Sequence, residues 1–298
     1  MRGPIQGNGG EIHVDAENVT LLDGAKLSSS SFFGGDGGSI RVTARDAVTI
    51  AGTRQDGAVS GIFSNAQFGG NSGSIMVEAQ SLNLDRLGGL FGEVSGGAGI
   101  GGSIDVDVAR LLIEGSGRID TTTRGSGPGG LITIDASEWI RLSGRQDDFN
   151  FLSVTTFSLE DGSGPAGTLQ ISSPEITLRD GSGISTSAIG EGDGGVVDLR
   201  ADRISLQSSS ITSSADLGTA GDIYINGGPL APGSLTIQKP PGVTSGDRLV
   251  LDRSLISTSA TDGFGRGGDI VIDPEIVLLR ESSIIARAVG GAGGNIVI

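Results

Sequence analysis

Cysteine is absent from this 298-residue chain, so neither a disulfide framework nor thiolate chemistry is available to it. Histidine occurs once, as His13. Without a second histidine or any cysteine, a zinc centre and a Ser-His-Asp triad are both nearly excluded, and His13 reads as a surface residue. Aromatic residues are only 4% of the chain. A core must therefore be built from Ile, Val, Leu and Ala, and branched aliphatics suit a pleated surface. Positive charge is scarce: 20 Lys and Arg stand against 35 Asp and Glu, for a net charge of −15. Such a surface repels phosphate backbones, so no nucleic acid is expected as a partner. No apolar run reaches 18 residues, and the segment after Met1 lacks the apolar centre of a signal peptide. Membrane insertion is not expected, and no motif asks for a cofactor.

Glycine is what the chain has in excess: 54 of 298 residues, about 18%, against a usual value of about 7%. The glycines are periodic. A Gly followed by alternating residues begins at Gly10-Glu-Ile-His-Val-Asp-Ala and recurs at Gly38, Gly73, Gly102, Gly130, Gly167, Gly195, Gly221, Gly268 and Gly294. Successive intervals are 28, 35, 29, 28, 37, 28, 26, 47 and 26 residues. A base period of about 27 with three longer units is the mark of a stacked repeat whose insertions become loops.

Within each unit the second and fourth residues after the Gly are apolar, giving columns that run from Ile12 to Ile296 and from Val14 to Ile298. Period-2 alternation of this kind describes a half-buried strand. A second strand follows after three or four residues, as at Val19/Leu21, Ile176/Leu178, Ile204/Leu206 and Ile276/Leu278. After a turn such as Asp180-Gly-Ser-Gly, a third strand opens at Ile119, Ile184, Ile211 or Ile256 and continues in Ser and Thr. No helical spacing survives the glycines.

The expected fold is all-β: residues 1–298 form one single-stranded parallel β-helix of about ten coils, with three short strands per coil. A right-handed crossover is the general expectation for parallel strands. Excursions are expected near 53–58, 145–151 and 227–247. The chain stops inside a first strand at Gly294-Asn-Ile-Val-Ile298. An uncapped end coil is an open edge, so the chain reads as a fragment of a longer one.

One outward column places Glu78, Asp107 and Asp135 on successive coils, and Asp105 stands beside it. Stacked carboxylates repel, which raises a pKa for acid catalysis or recruits a hard cation such as Ca²⁺. A spacing near 5 Å suits a glycosidase pair. Against catalysis, no aromatic platform accompanies the patch, and Trp139 lies on a different strand. A solvated acidic face is the preferred reading, with cation binding at Glu78, Asp105, Asp107 and Asp135 second. The Gly-Asp-Gly-Gly runs around Asp36 and Asp193 read as turns, since the tandem nine-residue spacing of calcium-binding turns is absent. Phe149 and Phe151, in the 145–151 excursion, are candidates for an exposed contact surface.

The pattern Gly-Asp-Gly-Gly-x-Ile-x-Val-x-Ala, then Val/Ile-x-Leu, then Asp-Gly-Ser-x-Ile-Ser-Thr-Ser, resembles the repeats of filamentous-haemagglutinin-type exoproteins. These are the large passengers of two-partner secretion, and the likeness is to the cyanobacterial type. It covers the chain from about Gly9 to Ile298. The resemblance implies a right-handed parallel β-helix exported through an outer-membrane two-partner-secretion transporter of a Gram-negative bacterium. The product would be secreted or held at the cell surface as an adhesin, with host or neighbouring cell surfaces or glycans as partners. The secretion domain of that family carries Asn-Pro-Asn motifs, and this chain has no Asn-Pro. It therefore corresponds to shaft rather than secretion signal, and no functional residue is carried over. The alternative is a polysaccharide lyase or hydrolase using Asp105, Asp107 or Asp135. A spacer without any ligand is a third reading.

Overall fold

The computed structural model describes residues 7–144, 153–159, 164–228 and 246–298. Among these residues every strand is extended in parallel with its partners, and no helix occurs. The strands stack in coil order into two long sheets and are not closed into a barrel. The result is a parallel β-helix. Each glycine-headed repeat forms one coil, and the last coil contributes Ile296–Val297. At about 4.8 Å per coil the stack is roughly 45 Å long.

The first sheet has 14 strands and the second has nine. Ile12, Ile40, Ile75, Ile104, Ile132, Leu169, Val197, Ile223, Ile270 and Ile296 pair coil to coil in unbroken register. The second sheet pairs Leu27, Ile62, Leu90, Ile119, Val154, Ile184, Ile211, Ile256 and Ile284 in the same way. These two columns and that of the second strand make up most of the core, which is almost wholly aliphatic. A lone coil has no partner for either face of its backbone ladder, so stability comes from neighbours.

Two expectations about the strands are corrected. In the first five coils the first and second strands are one continuous strand of 11 to 13 residues, as in Glu11–Leu22 and Leu131–Ser143. The corner between them survives as a register shift, for example between Ala136 and Trp139. They separate from Thr168–Ser172 onward, and Pro174 and Pro274 stand at two of those breaks. Proline has no N–H for the ladder. The second correction concerns the ninth coil, where Leu249 pairs with Val277 and Leu251 with Leu279. Ile276 and Leu278, expected inside, point outward and are each 55% exposed. Four apolar residues in a row, Ile276 to Leu279, hide the phase of the alternation.

The glycine corner is governed by close approach between coils rather than by backbone freedom. A Cβ on Gly38, Gly73, Gly102, Gly130, Gly167, Gly195, Gly221, Gly268 or Gly294 would meet the carbonyl oxygen of the matching glycine one coil below, inside 3 Å. None of these glycines has a left-handed φ. Three residues earlier a second glycine column, including Gly99, Gly127, Gly164, Gly192 and Gly218, is packed against carbonyls in the same way. The opposite corner behaves differently. Asp180, Ser208, Arg253 and Glu281 all turn with φ between 48° and 57°, so that position is left-handed whatever residue fills it.

Buried hydroxyls tie the second sheet to the glycine column. Ser213 Oγ donates to Gly195 O at 2.6 Å, Thr258 Oγ1 donates to Gly268 O at 2.6 Å, and Gly167 N donates to Thr156 Oγ1 at 2.6 Å. On these coils the hydroxyl two residues after the third-strand aliphatic closes the coil. At the excursion of 227–247, Asn226 and Asp247 are both fully buried and joined by a 2.7 Å hydrogen bond from Asn226 Nδ2 to Asp247 Oδ2. Asn226 also clasps both backbone groups of Ala201. The shorter excursion at 53–58 is a turn bridged by Thr53 and Val59 and pinned by Arg54 on Asp56.

Gly195→Ala is expected to cost about 3 kcal/mol or more, since backbone on both coils would have to move. Gly10→Ala, in the same column, is expected to be near neutral because no atom lies within 4 Å of its Cβ position. Ser213→Ala should cost about 1–2 kcal/mol. Urea unfolding of the three variants checks the order; equal loss for the two glycine variants would contradict it.

Candidate functional site

The acidic patch forms where the sequence places it. Glu78, Asp107 and Asp135 are consecutive partners in one outward column, and Asp105 pairs with Met76 and Thr133 in the next. Neighbours along the column are about 4.8 Å apart in backbone. Glu78 is drawn aside by Arg41, with Nη1 3.1 Å from its Oε1. Asp105 is half-buried, and its carboxyl is held above the ordinary carboxylate range, first by burial and then by Asp135, Asp107 and Glu78. Asp107 and Asp135 are exposed.

The four carboxylates do not share one cleft. Asp107 and Asp135 line an open groove of about 490 Å³ with Pro174, Arg200 and Asp202, at the place where the first sheet divides into two. Asp105 lines a different hollow of about 350 Å³ with Arg41, Met76 and Thr133. Arg200 is held by Asp198 through a 2.7 Å contact. Among the described residues, no group of three or more His, Asp or Glu converges as a metal-binding set. His13 is exposed on the first coil. Trp139 lies on the second-strand half of Leu131–Ser143 with the Arg141 guanidinium 4.2 Å above its ring. Phe149 and Phe151 lie outside the described residues.

The Gly-Asp-Gly-Gly corners are bound to each other. Asn71 N donates to Asp36 Oδ1 at 2.8 Å and Ile100 N to Asn71 Oδ1 at 3.0 Å. Thr219 N donates to Asp193 Oδ1 at 2.8 Å. Each side chain caps the corner of the next coil.

A second carboxylate pair was missed by sequence reasoning. It lies on the outer face of the second sheet, where Asp120 is in register with Phe91 and Thr155, and Glu93 sits one coil before Thr122. Asp120 is only 7% exposed and accepts a 2.5 Å hydrogen bond from Thr122 Oγ1. Burial is the main force holding both carboxyls above the ordinary range, and Asp120 adds to the shift of Glu93. Arg118 opposes both shifts and also lies over the Phe91 ring at 5.0 Å. Phe91 stacks on Phe63 at 4.7 Å between centroids, and Lys26 covers the far side of Phe63 at 4.9 Å. Lysine, two phenyl rings and arginine thus stack along the rod, and no ring face is left for a sugar. The sequence signal was available: Asp120 stands where the later coils place Ser185, Thr212 and Ser257.

A carboxyl whose folded pKa is raised favours folding below its unfolded pKa, and that contribution is lost as pH rises through the folded value. Asp120→Asn should therefore stabilise the protein at pH 7.5, with the gain disappearing near pH 4. Thermal unfolding at the two pH values checks this; a gain independent of pH would contradict burial of the charge. No family model, no curated protein and no solved structure matches this chain.

Proposed function

We propose that the chain is a non-catalytic shaft segment of a secreted, cell-surface exoprotein of the filamentous-haemagglutinin type, serving adhesion or surface interaction outside a Gram-negative cell. The observation that carries this reading is the uniformity of the coil. The same glycine and aliphatic columns run through the stack, joined on most coils by a hydroxyl, and they stay in register from coil to coil. Such a structure supplies length and a repeated surface. It also suits passage through an outer-membrane transporter, because each coil makes the same contacts with the next and folding can propagate coil by coil. The chain contains no cysteine that an oxidising compartment would cross-link. The repeat pattern from Gly9 to Ile298 supports the family.

The acidic patch is read as a solvated face. Asp107 and Asp135 line one open groove and remain exposed, Asp105 lines a second hollow, and Glu78 lines neither. The one feature favouring a carbohydrate-active enzyme is the raised pKa of Asp105.

Expression of the chain behind a two-partner secretion domain, with its transporter, in a Gram-negative host tests the proposal. Protease on intact cells should reach the β-helix, and displaying cells should bind other cells or glycan-coated surfaces. Retention in the periplasm with the transporter present would count against export. Polysaccharide cleavage that is lost in Asp107→Ala would replace the shaft reading with the enzymatic one.

A further inference from the structure

After leaving the second sheet, each coil makes a short turn before its glycine corner. On three consecutive coils these turns carry Ile189, Leu217 and Phe264, which are 37%, 48% and 92% exposed. The turns are fixed one coil apart by backbone hydrogen bonds, including Leu217 N to Gly190 O at 3.0 Å and Asp262 N to Asp216 O at 2.8 Å. Ile189 and Leu217 line a shallow hollow of about 470 Å³ whose other walls include Asp216 and Asp262. The repeat does not need apolar residues there. The fourth coil makes the same turn with Arg124-Gly125-Ser126. Phe264 stands beside this hollow, next to Gly263, which lies against Leu217. A strip of exposed apolar residues on successive turns, at a position that tolerates polar ones, marks a contact surface.

The strip is rimmed by one sign of charge. Its three turns carry Glu191, Asp193, Asp216 and Asp262 against the single cation Arg266. Asp193 is used to cap Thr219, Asp216 accepts from Thr261 Oγ1 at 2.7 Å, and Asp262 accepts from Gly263 N. Among the described residues none of these carboxylates is in a salt bridge.

We propose that this strip binds the apolar face of a basic amphipathic α-helix lying along the axis of the solenoid. Successive turns are about 4.8 Å apart and the outer two about 9.6 Å. A helix places residues i, i+3 or i+4, and i+7 on one face, at about 4.5–6 Å and about 10.5 Å, close to the spacing of the three turns, with Leu217 and Phe264 each preceding a stacked glycine and Ile189 level with Asp216. An extended strand puts same-face residues about 6.7 Å apart and is out of step by the second turn. Lysines and arginines flanking the helix stripe meet the carboxylate rim. A second copy of this chain, with its net charge of −15, brings the same carboxylates to the contact, and an anionic lipid surface repels them. The proposal is independent of export and adhesion, because it concerns only the folded rod.

The test uses the full chain and a dye-labelled 18-residue peptide with leucines on one helical face and lysines on its flanks. Fluorescence anisotropy should give a Kd in the micromolar range, as a small interface allows. The triple variant Ile189→Ser, Leu217→Ser, Phe264→Ser should weaken binding at least tenfold with an unchanged melting curve, and Phe264→Ser alone should weaken it measurably. Asp216→Asn with Asp262→Asn should weaken binding and flatten its salt dependence. Equal binding by the triple variant, or by a scrambled peptide of the same composition, would show attraction by bulk charge and overturn the proposal. Strip-dependent self-association in sedimentation, or strip-dependent capture on phosphatidylcholine vesicles in place of peptide binding, would assign the surface to another occupant and overturn it too.

Discussion

The carbonyl oxygen of one coil occupies the space where the next coil would place a Cβ at its corner. Nearly everything else in the molecule follows from that contact. It lets the chain close a coil of about 27 residues and begin another at β-sheet spacing, without a loop that would push the coils apart. It also explains why glycine reaches 54 residues: from Gly38 onward each corner glycine is packed against the carbonyl of the coil below. The columns stay in register on either side of the insertions that follow Gly52 and Gly228.

Stacking backbone this tightly creates a polar problem that the hydroxyl column solves. The corner carbonyls of Gly73, Gly102, Gly130 and Gly167 accept the N–H that follows the corner of the next coil, and Ser213 and Thr258 reach across to those of Gly195 and Gly268. Ser and Thr rather than larger polar residues occur there because only a short hydroxyl fits between two backbones. Thr121 and Thr186 stand in the same column with buried Oγ1 atoms that have no hydrogen-bond partner. A buried hydroxyl left unpaired costs about 1–3 kcal/mol. On the outside the Asx relays do for the corner N–H groups what the hydroxyls do for the carbonyls.

Much of this was legible in the sequence, because each column is set by a strict physical demand. Ile, Val and Leu at two positions after every corner glycine left no other phase for the first strand. The third strand was equally plain from Ile followed by Ser and Thr. Legibility failed where several residues satisfy the same demand. The run Ile276 to Leu279 offered two phases, and only pairing with Leu249 and Leu251 selects one. The merging of the first two strands depends on whether a corner bends or breaks, which small residues such as Ala16 and Ala136 do not announce. At the site level, the carboxylate column was correct in register, yet Asp107 and Asp135 line one hollow and Asp105 another, which spacing along the chain does not show. Asp120 and Glu93 were passed over because burial on an outward face cannot be read from alternation. The glycine corner itself was taken as turn chemistry, whereas the reason for glycine there is contact with another coil.

A rod whose interior is uniform puts any specificity on what varies around it: the divided acidic face, the buried Asp120 and Glu93 pair, and the apolar strip with its carboxylate rim. The central claim beneath all of these is that each glycine corner advances the chain by one coil along a single axis. Electron–electron distance measurements test it most directly, and the absence of native cysteine allows clean labelling. Nitroxides on His13→Cys paired with Asp105→Cys, Asp198→Cys or Val297→Cys span three, six and nine coils of one column. Distances should rise linearly, to roughly 14, 29 and 43 Å, at about 4.8 Å per coil. A distance that levels off or falls between the second and third pairs would mean that the chain folds back on itself, and the single solenoid would be wrong.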